Sequence, residues 1–216
     1  MEHQDETISR GELKKARVDQ AIRRIRRVRA MIFFTIAGCV VLIISIGIWA
    51  ARRPPREIPG QIFADQGQQH VGLDYVYAYN SNPPTSGPHY GDPANWGIYD
   101  YEVNDKIFIH NLEHGGVWIS YRPGVNAQVI EDLKGIVDEY DGSQIIMTPR
   151  AANDTDIAVA GWIRLLKFNL TDGAMTDQQR DEIRAFYRAV KNHGPEFVPG
   201  MPGIDPKKVQ EGGNSK

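Results

Sequence analysis

Apolar and polar positions divide this chain into two unlike stretches. From Met31 to Ala51 it reads MIFFTIAGCVVLIISIGIWAA, 21 residues without a charge. At 1.5 Å per residue a helix of that length crosses about 30 Å of hydrocarbon, the thickness of a bilayer core. A soluble protein could bury such a run only within a large surrounding fold, so a transmembrane helix is expected. After Arg56 the pattern changes to short periodic segments separated by Gly, Pro and Asn, the mark of a folded domain.

Ahead of the span, Ser9 and Glu12 match the S-x-x-E capping box, and Val18, Ile22 and Ile25 recur at helical spacing. The pattern predicts a helix over residues 9–29 that runs into the membrane. Beyond the span, Arg52-Arg53-Pro54-Pro55-Arg56 breaks the helix and opens a stiff linker. The expected organisation is a basic cytoplasmic helix (1–30), a transmembrane helix (31–51), a linker (52–57), an extracytoplasmic domain (58–198) and a disordered tail (199–216).

The first half of the domain, to about Gly116, reads as loops with short strands at Tyr75–Tyr79 and Lys106–Ile109. The second half is more regular. Val117–Tyr121 is a strand pattern. Asn126–Tyr140 is helical, with Val129, Ile130, Leu133, Ile136 and Val137 on one face. Gln144–Thr148 is a short β run ended by Pro149, and Ile157–Phe168 predicts one long strand or a hairpin. Thr176 can cap a helix through Lys191 with Ile183, Phe186, Tyr187 and Val190 as its buried stripe. The fold class is α+β: an N-terminal transmembrane helix followed by one compact exported domain with a loop-rich first half.

Charge adds an orientation. The net charge of −2 hides nine Lys and Arg against five Asp and Glu in residues 1–30. Arg17, Arg23, Arg24, Arg26, Arg27 and Arg29 outweigh Arg52, Arg53 and Arg56 across the span. The basic flank stays on the cytoplasmic side, where it can also meet anionic lipid headgroups. The expected location is the cell membrane, single-pass, N-terminus inside. Membrane lipids are the expected partner, with no nucleic acid; a protein partner is left open. A 30-residue lead and a 21-residue core do not fit a cleaved signal peptide. Ile36-Ala37-Gly38-Cys39 imitates a lipidation box, but apolar chain follows the cysteine, so Cys39 is expected unmodified. Cys39 is the only cysteine, so the exported part has no disulfide and depends on a packed core.

Candidate chemistry rests on histidine. Four of the five exported histidines, His70, His89, His110 and His114, lie within 45 residues; His193 lies apart. Neutral imidazoles in such numbers suit zinc, copper, iron or nickel, although histidines that simply bond loop carbonyls give the same pattern. His110-Asn111-Leu112-Glu113-His114 matches H-x-x-E-H, the inverted zinc-peptidase signature in which Glu113 would activate metal-bound water. That signature needs a helix. The β-type run before it and Gly115-Gly116 after it argue for no more than one turn. Pro83-Pro84-Thr85-Ser86-Gly87-Pro88-His89 is a rigid loop that can present His89. Ser86 beside His89 lacks the elbow and the orienting acid of a nucleophilic triad. The N-x-T tripeptides at Asn153 and Asn169 are too common to carry a claim.

Three segments together, PPTSGPH at 83–89 with WGIY at 96–99, HNLEHGGV at 110–117 and GPEF at 194–197, resemble the bacterial family known as domain of unknown function 3105. The likeness covers about residues 60–200. The resemblance implies a membrane-anchored, exported protein and marks His89, His110, Glu113 and His114 as signature positions without giving them a role. The leading expectation is a binding module that holds a transition metal, zinc or copper, through His70, His89, His110 and His114, with Glu113 as fifth ligand or as orienter. One alternative is a metal-assisted hydrolase with Glu113 as base. The other is a structural or assembly protein without a small ligand.

Overall fold

The computed structural model describes residues 10–52, 57–198 and 200–212. Contacts divide the chain into two units, Met1–Arg56 and Glu57–Lys216. In the first, one helix, α1 (Arg10–Ala51), carries the apolar run without interruption. It is the one helix among the described residues long and apolar enough to cross a membrane, over Arg17–Trp49. Its large apolar side chains, Phe34 and Ile43 among them, are exposed. The proposed cap Ser9 and the Pro54-Pro55 break lie outside the described residues.

The second unit is built on a six-stranded mixed sheet. Its strands are β1 (Gln61–Ile62), β2 (Gly97–Ile98), β3 (Val117–Tyr121), β4 (Ile145–Pro149), β5 (Ile157–Gly161) and β6 (Arg164–Phe168). The order across the sheet is β1-β6-β5-β3-β4-β2. β3 pairs in parallel with β4 and antiparallel with β5. The apolar run 157–168 is a hairpin, turned at Trp162-Ile163, with Ile163 at φ +54°. Because side chains alternate along a strand, β3 sends Val117, Ile119 and Tyr121 into one core and Trp118 into the other. Helices α3 (Ala127–Asp138) and α4 (Asp177–Val190) cover the first face with Val129, Leu133, Ile136, Ile183, Phe186 and Val190. Thr176 caps α4 in a full capping box with Gln179. The other face packs Trp118, Ile146, Ala158 and Ala160 against helix α2 (Asp105–Glu113) and the loop-rich first half.

Three expectations need correction. Lys106–Ile109 is not a strand but the middle of α2. Isoleucines at 107 and 109 imitate β alternation because the helix from Ile107 on is buried on every side and shows no exposed face. Its start is set by Asn104, whose side chain accepts from Lys106 N, and its end by the glycines themselves. Gly115 sits at φ +76°; its N–H donates to Leu112 O, and Gly116 N donates to Asn111 O. This is the double bond of a Schellman cap. The glycines stop the helix after Glu113 rather than prevent it. Tyr75–Tyr79 is also not a strand but an irregular segment. Finally, the tail is not disordered over 201–211. Ile204 bridges Ala94, and α5 (Pro206–Glu211) is capped by Asp205. Gln210 bonds Asn104 N and Glu102 O. The glycine and proline content that suggested disorder instead allows close approach: a Cβ at Gly203 would lie 2.2 Å from Ala94 O.

Candidate functional site

The last turn of α2 carries His110 and Glu113, and His114 is its C-cap. At i, i+3 and i, i+4 these side chains share one helix face. Two extended segments meet that face. Val71 N donates to His89 O at 2.7 Å and His89 N to Gln69 O at 2.9 Å, so His70 and His89 form a parallel bridge side by side. Gly87, at φ +114°, permits the bend that ends the proline-rich loop; its N–H donates to Gly67 O. Asn111 holds the neighbouring loop through a two-way bond with the Ala94 backbone, both contacts 2.8 Å. Arg150, at the end of β4, donates to both carboxylate oxygens of Asp105 on the first turn of α2 and to Asn82 at the start of the proline loop. One guanidinium therefore ties together the two elements that carry His89 and His110.

The result is a convergence of donor atoms. His70, His89, His110 and Glu113 each offer one ligand atom, and these atoms all lie within 4.8 Å of one another. Measured from Glu113 Oε2, the Nε2 atoms of His89, His110 and His70 lie at 3.0, 3.8 and 4.0 Å. His89, His110 and Glu113 are buried, whereas the His70 side chain is 55% exposed and closes the solvent side. The three rings pack at centroid distances of 5.0 Å.

The far side of two of these rings settles their tautomers. His89 Nδ1 lies 2.8 Å from Gly87 O, and His110 Nδ1 lies 2.8 Å from Tyr90 O. A carbonyl oxygen only accepts, so each Nδ1 carries a proton and each Nε2 is turned inward, that of His89 toward the Glu113 carboxylate. Burial pushes the His110 imidazole down to about 4, against the pull of its bond to Tyr90 O. Burial lowers His114 as well, against the carboxylates of Glu113 and Glu196. Both rings are thus held in the neutral form that ligates metals.

His114 stands apart from the four-residue group. Its Nε2 lies 3.1 Å from His110 Nε2, and its ligand set is a second one, Glu113, His114 and Glu196. Glu196 was not singled out from the sequence; its only signal was its place in the GPEF segment. Ser86 does not pair with His89: its hydroxyl accepts from Gln66 N, and both His89 ring nitrogens are engaged elsewhere. His193 is exposed, with Nδ1 on Lys191 O.

An α+β domain with a buried histidine–carboxylate cluster, behind one long apolar helix, is the class of protein this chain represents. Residues 70–201 match the family model described as protein of unknown function (DUF3105). The chain belongs to that family, and the matched region spans every residue of the cluster. Comparison with curated proteins and with solved structures found no match.

Proposed function

We propose that His70, His89, His110 and Glu113 hold a transition-metal ion, in a module anchored by Met31–Ala51 with its domain outside the cytoplasm. The observation that carries this reading is the convergence of four donor atoms, all within 4.8 Å of one another, with His89 Nε2 3.0 Å from Glu113 Oε2 and both groups buried. A lone pair and a carboxylate cannot remain that close in a poorly solvated site unless a cation or a proton lies between them. Ligands bound at about 2.0–2.1 Å in tetrahedral array stand about 3.3 Å apart. The distances of 3.0, 3.8 and 4.0 Å bracket that value. The cluster also lies at the C-terminal end of α2, where the helix dipole favours positive charge.

The donors are nitrogen and oxygen without sulfur, which favours zinc or divalent copper over cuprous ion. With its Oε2 among the ring nitrogens, Glu113 serves as a ligand, and the role of general base is not given to it. The apolar span and its arginine flank support anchoring in lipid with the basic side in the cytoplasm. The test is elemental analysis of the full chain purified in detergent, as isolated and after chelation. Bound metal lost to the chelator and regained from solution is expected. A chain that holds none, even after dialysis against zinc, overturns the reading.

A further inference from the structure

We infer that His114 and Glu196, with Glu113, hold a second divalent cation beside the first, so that the domain carries a two-metal centre sharing the Glu113 carboxylate. This rests on the reading of the first site. The donor atoms of Glu113, His114 and Glu196 lie within 4.8 Å of one another. His114 Nε2 lies 3.5 Å from Glu196 Oε2, with the His114 side chain buried and that of Glu196 about half exposed.

Occupation of the first site bears on the second. His110 donates from Nδ1 to Tyr90 O, so its Nε2 is bare. While that atom faces an ion, it cannot also accept a hydrogen bond from His114, 3.1 Å away. His114 Nε2 is then left facing Glu196 Oε2 at 3.5 Å, a distance too long for a strong hydrogen bond. A cation held between it and the Glu196 and Glu113 carboxylates satisfies all three groups. Two ions that share a carboxylate stand about 3.5–4 Å apart in two-metal sites.

Glu196 is also placed by the backbone. Its N–H donates to Glu113 O at 3.1 Å, and Asn192 N donates to Gly115 O at 2.9 Å. Between them Gly194 lies flush on the helix end: a Cβ there would meet Glu113 O at 2.0 Å and Gly115 N at 2.3 Å. Only glycine lets this strap lie close enough to bring a carboxylate to His114. The GPEF segment therefore contributes a ligand to the end of α2. The expected occupant is a divalent ion that accepts nitrogen and oxygen, such as zinc, manganese or cobalt.

The test uses the full chain in detergent, stripped with chelator and titrated with zinc. Two ions per chain are expected in the natural protein and one in Glu196→Gln, a change at a half-exposed side chain. With cobalt as probe, the second equivalent should weaken the paramagnetic signal per ion, because two spins couple through the shared carboxylate. One ion in the natural protein overturns the second site and leaves the first standing. Two ions retained by Glu196→Gln, or cobalt signals that simply add, also overturn it. No bound ion at all overturns both readings together.

Discussion

The Nε2 atom of His89 and the Oε2 atom of Glu113 lie 3.0 Å apart, and both side chains are buried. The opposite ring nitrogen of His89 is committed to Gly87 O. This ring is therefore oriented before any ion arrives, and the carboxylate meets its inward nitrogen. His89→Ala and Glu113→Gln should each remove most of the bound metal and abolish the rise in melting temperature that metal confers. That rise corresponds to about 2.7 kcal/mol when free ion is at 100 times its Kd. His193→Ala, at an exposed ring bonded only to Lys191 O, should change neither quantity. Metal content and thermal melts of the three variants check this; equal loss in His193→Ala would place the metal elsewhere.

Acid should weaken the metal-free domain. Burial lowers His110 from its ordinary 6.5 to about 4, so between those values the unfolded chain binds a proton that the folded chain refuses. Stability is then complete above about pH 6.5 and is lost progressively as pH falls toward 4. At about 1.4 kcal/mol per unit, the loss from this ring approaches 3 kcal/mol. His114 acts in the same direction. Urea midpoints of the chelator-treated chain between pH 7.5 and 4.5 measure the slope, which should flatten in His110→Gln. A flat profile in the natural chain would show that the ring is already charged when folded.

Arg150 should matter more than its distance from the histidines suggests. It bonds Asp105 at 2.8 and 2.7 Å, Asn82 at 2.6 Å and Asn153 at 3.0 Å, and is almost fully buried. Removing one partner of a buried ion pair leaves the other uncompensated. Arg150→Met is expected to cost about 3 kcal/mol, the lower end of the range, because the Asp105 side chain is 28% exposed. Metal affinity should fall with it, since the proline loop and α2 lose their common anchor. Equilibrium unfolding and metal titration are the measurements, and an unchanged midpoint would refute the tie.

Protease added to spheroplasts should cut the chain after Arg56 and spare residues 1–30. Mass spectrometry of the membrane-extracted protein should find the N-terminal peptides on the same chain as the domain, with Cys39 unmodified. Protection of the domain would reverse the orientation, and an acylated N-terminus at Cys39 would mean the span is removed.

Much of the second half was legible because its elements are ordinary amphipathic pieces. The stripe Val129, Leu133, Ile136 and Val137 and the cap Thr176 announce α3 and α4. The strand Val117–Tyr121 is apolar but for Ser120 because both of its faces are buried. α2 is hidden in the sequence for the opposite reason. A helix buried nearly all round carries its polar residues on a buried face, so the usual contrast of apolar and exposed sides disappears, and Gly115-Gly116 is a cap rather than a breaker.

The same contrast holds for the site. The apolar span, the α+β class and the residue types that can ligate are readable along the chain, because these depend on composition and local spacing. His110 and Glu113 share a helix face by spacing alone once α2 exists. Which histidines meet is set by packing between distant segments. His70 and His89 reach that face through a bridge between two loops, His114 turns to a second set with Glu196, and His193 stays in solvent. The partner carbonyls of Gly87 and Tyr90 that set the ring tautomers are backbone atoms, common to every residue type. No pattern of side chains along the chain encodes them; the Gly87 carbonyl is set by the bend two residues before His89, and the Tyr90 carbonyl reaches His110 by packing across 20 residues.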